Sequence, residues 1–186
     1  MAPDPSRPDV QTRVLDAAEA IIRARGVPAL TIEGAAREAK VSKGGLLYHF
    51  ASKEALLAAL MQRLADGLTA DWEAIVAAQP EGPRRALRAC LAFTFDEPGI
   101  RETHARTAAV LLAAFHHDPA LLDPIRAFFA RVRTEASDGV PPGVAAAVIL
   151  AGDGLFMTRL FHLYEPGAEE MAGLRATLHG LLEGVS

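Results

Sequence analysis

The chain has 186 residues, 51% of them apolar and 23% charged, with a formal net charge of −4. That length and apolar share exclude a disordered or fibrous chain and leave room for a well-buried core in one or two domains. The lone cysteine, Cys90, excludes an intrachain disulfide, and the longest unbroken apolar run, residues 144–151, is far too short to span a bilayer. Alanine and leucine dominate and β-branched residues are sparse, which favours an all-α fold. In chain order, residues 1–9 read as an arm, because Pro3, Pro5 and Pro8 oppose helix. Arg7 and Arg13 stand where they can reach phosphates or simply remain solvated. A first helix is predicted over residues 10–25, with Val14, Leu15, Ala18, Ile21 and Ile22 as its core stripe and Gly26 as its stop.

Residues 31–53 read TIEGAAREAKVSKGGLLYHFASK. Thr31, Ser42 and Ser52 are three candidate N-caps, each with a hydroxyl that can accept from an orphan amide. Ile32, Ala35, Ala36 and Ala39 give a short helix a narrow apolar face, and Leu46, Leu47 and Phe50 do the same for a second short helix. Two short helices and a tight turn, braced by longer helices, is the plan of a helix-turn-helix. Gly44 and Gly45 are costly in so short a helix, which points to a backbone that another surface approaches closely. From the residues alone a second reading stands beside this one: a loop between two ordinary helices, with Gly-Gly as its turn. Charge favours the first. Through Lys53 there are eight Lys and Arg against six Asp and Glu, a balance of +2; after it there are eleven against seventeen, a balance of −6. All three lysines, Lys40, Lys43 and Lys53, lie in this stretch, and nucleic-acid binding needs a local basic footprint, not a basic whole.

A long helix is predicted from Ser52 to about residue 78, carrying Leu57, Leu60, Leu64, Leu68 and Ile75, with Trp72 near its far end. The domain boundary is placed inside that helix, giving residues 1–53 and 54–186. Residues 79–83 (QPEGP) break it. Further helices are predicted over residues 84–97, 100–116, 124–137, 144–164 and 168–183, about nine in all, with a helical turn ahead of Pro124 and a breaker (DGVPPG) at 138–143. Ala147, Ala151, Gly154 and Thr158 share a face of the penultimate helix where another helix can come close. Met171, Leu174, Leu178 and Leu181 form a seam on the last. Both faces can pack within one monomer or against a second copy. Arg159 can pair with an anionic ligand, with Asp153 or with Glu165. No Gly-rich phosphate loop, nucleophile elbow or zinc-ligand spacing is present, and His116, His117 and Asp118 are adjacent, so no catalytic residue, metal or cofactor is assigned.

The stretch resembles the DNA-binding domain of the tetracycline-repressor (TetR) family of bacterial regulators. The resemblance rests on Thr31, Ala36, Ala39, Val41, Ser42, Lys43, Gly44, Leu46, His49, Phe50, Ser52, Lys53, Glu54 and Leu56 at their fixed spacing. Departures are Lys40 where the family usually has Gly, Gly45 where Thr is common and Leu47 where Tyr is common. The resemblance implies a transcriptional regulator of the cytoplasm. An N-terminal three-helix DNA-binding domain would join, through a long helix, to a helical ligand-binding and dimerisation domain. The expected partners are a double-stranded DNA operator, a small-molecule effector and a second copy of the chain, with no membrane. The candidate DNA-contacting set is Thr31, Ser42, Lys43, Gly44, Gly45, Leu46, Tyr48, His49 and Lys53. The implied pocket has Phe93, Thr94, His104, Thr107, Leu111, Phe128 and Phe156 as candidate lining. The implied dimer interface has Ala147, Ala151, Gly154, Thr158, Leu174, Leu178 and Leu181. The competing reading is a helical small-molecule carrier or scaffold with no DNA readout; a helical-bundle enzyme is a third.

Overall fold

A computed structural model describes residues 9–95, 118–160 and 163–184. Among them are eight α-helices and two short 3-10 turns: α1 (Val10–Arg25), α2 (Ile32–Glu38), α3 (Lys43–His49), α4 (Lys53–Ala78), α5 (Arg85–Phe95), α6 (Asp123–Ser137), α7 (Pro142–Leu160) and α8 (Ala168–Glu183), with 3-10 turns at Val27–Ala29 and Pro119–Leu122. The all-α architecture matches the sequence expectation. The helix predicted over 100–116, with His104, Thr107 and Leu111, lies outside the described residues. The chain divides into two compact units, Met1–Ala65 with Arg106–Ile125, and Asp66–Ala105 with Arg126–Ser186, so the division falls within the span of α4.

In the first unit, local capping decides where helices start. Asp9 caps α1, its carboxylate accepting from the Thr12 amide at 2.7 Å; Thr31 Oγ1 accepts from Gly34 and Ser42 Oγ from Gly45, both at 3.0 Å. Ser52 Oγ accepts from Ala55 at 3.2 Å. Each such cap is worth about 1 kcal/mol against alanine. Gly26, at φ 76°, closes α1 in a conformation that only glycine adopts freely. The core is the predicted stripe of α1, Val14, Ala18, Ile21 and Ile22, against Leu30, Ala35, Ala36, Leu46, Phe50, Leu56 and Leu57. Arg63 ties α4 back to α1, donating to Asp16 at 2.6 Å and to Glu19 at 2.5 Å.

The turn between α2 and α3 is a Schellman closure. The Val41 amide donates to Ala36 O at 2.9 Å and the Lys40 amide to Arg37 O at 3.1 Å. That motif puts its C′ residue in the left-handed region, normally glycine's place. Lys40 occupies it at φ 55°. A side chain there costs roughly 1–2 kcal/mol, which the surrounding structure must hold.

In the second unit, the predicted breaker at 79–83 is a turn pinned by two arginines. Arg85 donates to Val76 O at 2.8 Å and Ala77 O at 2.9 Å, and Arg88 to Pro80 O at 2.8 Å. Trp72 is 2% exposed and its indole N–H donates to Glu135 at 2.7 Å. Arg131 bridges Glu135 (2.7 Å) and Glu73 (2.9 Å), joining the far part of α4 to α6. α5 packs closely on α7: a Cβ added to Gly152 would stand 2.8 Å from Thr94 Oγ1. α7 starts at Pro142, two residues earlier than the sequence reading, because proline's fixed φ and missing N–H suit a helix's first turn.

Candidate nucleic-acid interface

α3 is only seven residues long and shows two contrasting faces. Leu46 is fully buried and the next residue after the helix, Phe50, is 4% exposed. Burying a leucine completely contributes roughly 1.5–3 kcal/mol, which is what seats the helix. Ser42, Lys43, Gly44, Leu47, Tyr48 and His49 face solvent. Tyr48 is the extreme case at 87% exposed, its ring edge-on to His49 at 5.2 Å. Beyond its chain neighbours and the helix's own backbone, nothing lies within 4 Å of where a Cβ on Gly44 would stand, so the backbone there is bare toward solvent. On Gly45 a Cβ would stand 3.1 Å from Ser42 Oγ, so that glycine also leaves room for the cap.

Not every residue of the candidate set stands free. Leu46 has no surface to offer DNA, so its role is to anchor the helix. The Thr31 and Ser42 hydroxyls accept from Gly34 and Gly45 as caps, and each keeps its O–H to donate. Lys53 Nζ donates to the Val27 carbonyl at 3.1 Å and is half-buried, tying the start of α4 to the turn after α1. Lys43 Nζ sits 2.5 Å from Glu33 Oε1 on α2, both side chains mostly exposed. The Lys43 ammonium, bonding to it, holds the Glu33 carboxyl below the usual carboxylate range. The sequence reading missed that pair, and it set Arg13 at a phosphate or in solvent. Its guanidinium does not point to solvent but donates to Ala39 O at 2.6 Å and Lys40 O at 2.9 Å.

The candidate residues for the other two sites lie in the second unit where they are described. Thr94 donates to Cys90 O at 2.8 Å and abuts Gly152. Phe128 is 7% exposed and stacks edge-on with Phe129 at 5.5 Å. Phe93 and Phe156 are half-buried. Arg159 pairs with Glu165 at 3.1 Å. On α7 the exposed line runs through Leu150 (58%), Gly154 and Met157 (45%). Ala147, Ala151 and Thr158 flank it, half-buried. On α8, Leu178 is 4% exposed within a single chain, so it belongs to that chain's own core; Leu174 is half-buried and Leu181, 40% exposed, lies at the edge. The predicted seam is thus rotated, because Leu182 joins Leu178 on the inward face.

A capped α2, a closed turn and a short outward-facing α3, covered by α1, define a helix-turn-helix protein. Comparison with known families agrees. Residues 14–60 match the family described as bacterial regulatory proteins, tetR family, and residues 84–183 match the tetracycline-repressor-like C-terminal domain. The chain belongs to the TetR family. Among curated relatives, the HTH-type transcriptional regulator BetI of Burkholderia mallei is 30% identical over 111 residues, which cover 60% of this chain and 57% of that protein. The match therefore spans little more than half of that relative. BetI of Burkholderia thailandensis is 29% identical over 155 residues, 79% of this chain and 80% of the relative. Two solved structures share the fold. A transcriptional regulator from Rhodococcus sp. Rha1 superposes with a TM-score of 0.71 at 23% identity, covering 94% of this chain and 96% of that one. The multidrug binding protein EbrR, complexed with malachite green, superposes with a TM-score of 0.66 at 24% identity, covering 94% and 98%.

Proposed function

We propose that the protein is a dimeric transcriptional regulator, working in the cytoplasm as a repressor that a small molecule releases from its operator. The observation that carries this reading is the outward face of α3, where Lys43, bare Gly44, Leu47, Tyr48 and His49 stand on a helix seated by Leu46. A ridge of one cation, two exposed rings and an unobstructed backbone suits a major groove, with phosphate contacts setting position and base-edge contacts setting sequence. The second unit takes the effector. Phe93, Thr94, Phe128 and Phe156 supply apolar wall and one hydroxyl, and EbrR, which shares the fold, binds malachite green. The exposed line of Leu150, Gly154 and Met157, with Leu181, is the surface proposed to meet a second copy. Two copies then read half-sites roughly 34–36 Å apart. Effector binding favours a dimer with a different spacing, and DNA is released by a population shift.

The test is selection of duplexes from a randomised pool by the full-length protein, followed by anisotropy titration at several salt concentrations. A selected sequence with two symmetric half-sites, bound far above random DNA and with a steep salt dependence, is the expected result. The absence of any selected sequence and of salt-dependent affinity would overturn it in favour of a carrier.

A further inference from the structure

Arg13 lies in the first turn of α1, far in sequence from the reading helix, yet its guanidinium reaches across to the turn before α3. The Schellman bonds of that turn satisfy Ala36 O and Arg37 O. The carbonyls of Ala39 and Lys40 receive Arg13 Nη2 instead, at 2.6 and 2.9 Å. These two residues flank the point where the chain swings from α2 toward α3, and Lys40 makes the swing at φ 55° with a full side chain. The arginine is itself firmly based. Its own amide donates to Asp9 O at 3.1 Å, and Val14, Leu15, Ala17 and Ala18 beside it are buried.

We propose that Arg13 is a positioning residue for DNA reading: its guanidinium clamps the Ala39 and Lys40 carbonyls, holds the lysine-bearing turn in its left-handed conformation, and so sets where Lys43, Leu47 and Tyr48 stand. This rests on the DNA-reading function proposed above. The clamp offsets what a non-glycine residue loses at that position. It is a charge-assisted bond to two carbonyls, stronger than a neutral one. It also makes α1 part of the reading head, although no residue of α1 is required to touch a base.

The experiment compares full-length wild type with Arg13→Ala, Lys40→Gly and the double variant by two readouts. Backbone hydrogen exchange, without DNA, follows the segment from Lys40 to Leu46; anisotropy follows binding to the duplex that wild type selects. Arg13→Ala is expected to speed exchange in that segment about tenfold while α5 and α7 are unchanged. It is expected to weaken DNA binding about tenfold with an unchanged salt slope. In the Lys40→Gly background, where glycine needs no clamp, both effects of Arg13→Ala should shrink to about twofold or less. Equal losses in both backgrounds with a salt slope lower by about one unit would make Arg13 a direct phosphate contact and overturn the proposal. Exchange raised uniformly across α1, α2 and α3, with no suppression by Lys40→Gly, would overturn it in favour of general stability. Should wild type select no duplex, the regulator reading fails separately, and the exchange comparison decides the clamp alone.

Discussion

The ammonium of Lys43, on the helix that faces solvent, is paired with the carboxylate of Glu33 on α2, 2.5 Å away. Both side chains are mostly exposed, so the pair adds little to stability. Its effect is on the field the helix presents. A phosphate approaching Lys43 must compete with Glu33. Lys43→Ala should weaken binding across sequences and lower the salt slope by about one unit. Glu33→Gln should act in the opposite direction, tightening binding to selected and random DNA alike. Both are read from the same salt-series titration, and unchanged affinity in both variants would remove Lys43 from the interface.

Gly44→Ala separates stability from function. Nothing within 4 Å opposes the new methyl, so the variant should gain about 0.5–1 kcal/mol of helix propensity. If DNA approaches the bare backbone closely, affinity should fall at the same time. Chemical unfolding and anisotropy on one preparation check both. A variant that is more stable and binds equally well would show that the glycine is not used for close approach.

Two adjacent leucines should behave oppositely. Leu46 is fully buried and Leu47 is 37% exposed. Leu46→Ala should cost about 2–5 kcal/mol and unseat α3. Leu47→Ala should stay within about 0.5 kcal/mol of wild type in stability, while changing affinity or sequence preference in the selection experiment.

Much of this contrast is legible in the sequence. The three caps at Thr31, Ser42 and Ser52 were readable because a hydroxyl three residues before an amide is a local geometry. The stops at Gly26 and at 79–83 were readable for the same reason. What could not be read were partnerships between distant segments. Lys53 bonds to Val27 O, Arg13 to Ala39 and Lys40, and Lys43 to Glu33. The sequence offers Lys43 and Lys53 as DNA contacts and leaves Arg13 between phosphate and solvent, and only tertiary placement decides which carbonyl or carboxylate comes within reach of each. The same holds for α8. Met171, Leu174, Leu178 and Leu181 have seam spacing, but period alone cannot say whether a seam meets its own chain or another. Leu178 and Leu182 face inward.

Acid should loosen the second unit at Glu135. Burial pushes its carboxyl up, but the Arg131 guanidinium and the Trp72 indole, both donating to the ionised form, outweigh that and hold it below the ordinary glutamate value. With the folded value depressed, the stabilisation is fully present above the unfolded value, about 4.3, and is lost as pH falls through the lower folded one. Unfolding scans between pH 7 and pH 3, followed by Trp72 emission, should show this decline. Glu135→Gln should cost roughly 0.5–1 kcal/mol at pH 7, the scale of a partly exposed pair, and flatten the acid limb. An acid limb identical to wild type would remove Glu135 from it.

The exposed line on α7 predicts assembly. Leu150→Glu with Leu181→Glu should yield a monomer by sedimentation, with helicity unchanged, because both side chains are exposed in the single chain. A dimer of unaltered strength would move the interface elsewhere.

α3 has seven residues, well below the roughly 12–15 at which an isolated helix begins to hold in water. A synthetic peptide copy of it would therefore be a coil. Nor can its sequence be transplanted by itself into another scaffold to carry its target preference along. What holds α3 in place is the frame from Asp9, which opens α1, to Arg63, which fastens α4 to it. On the function proposed above, changing the DNA preference means exchanging side chains within that frame, not taking the helix out of it.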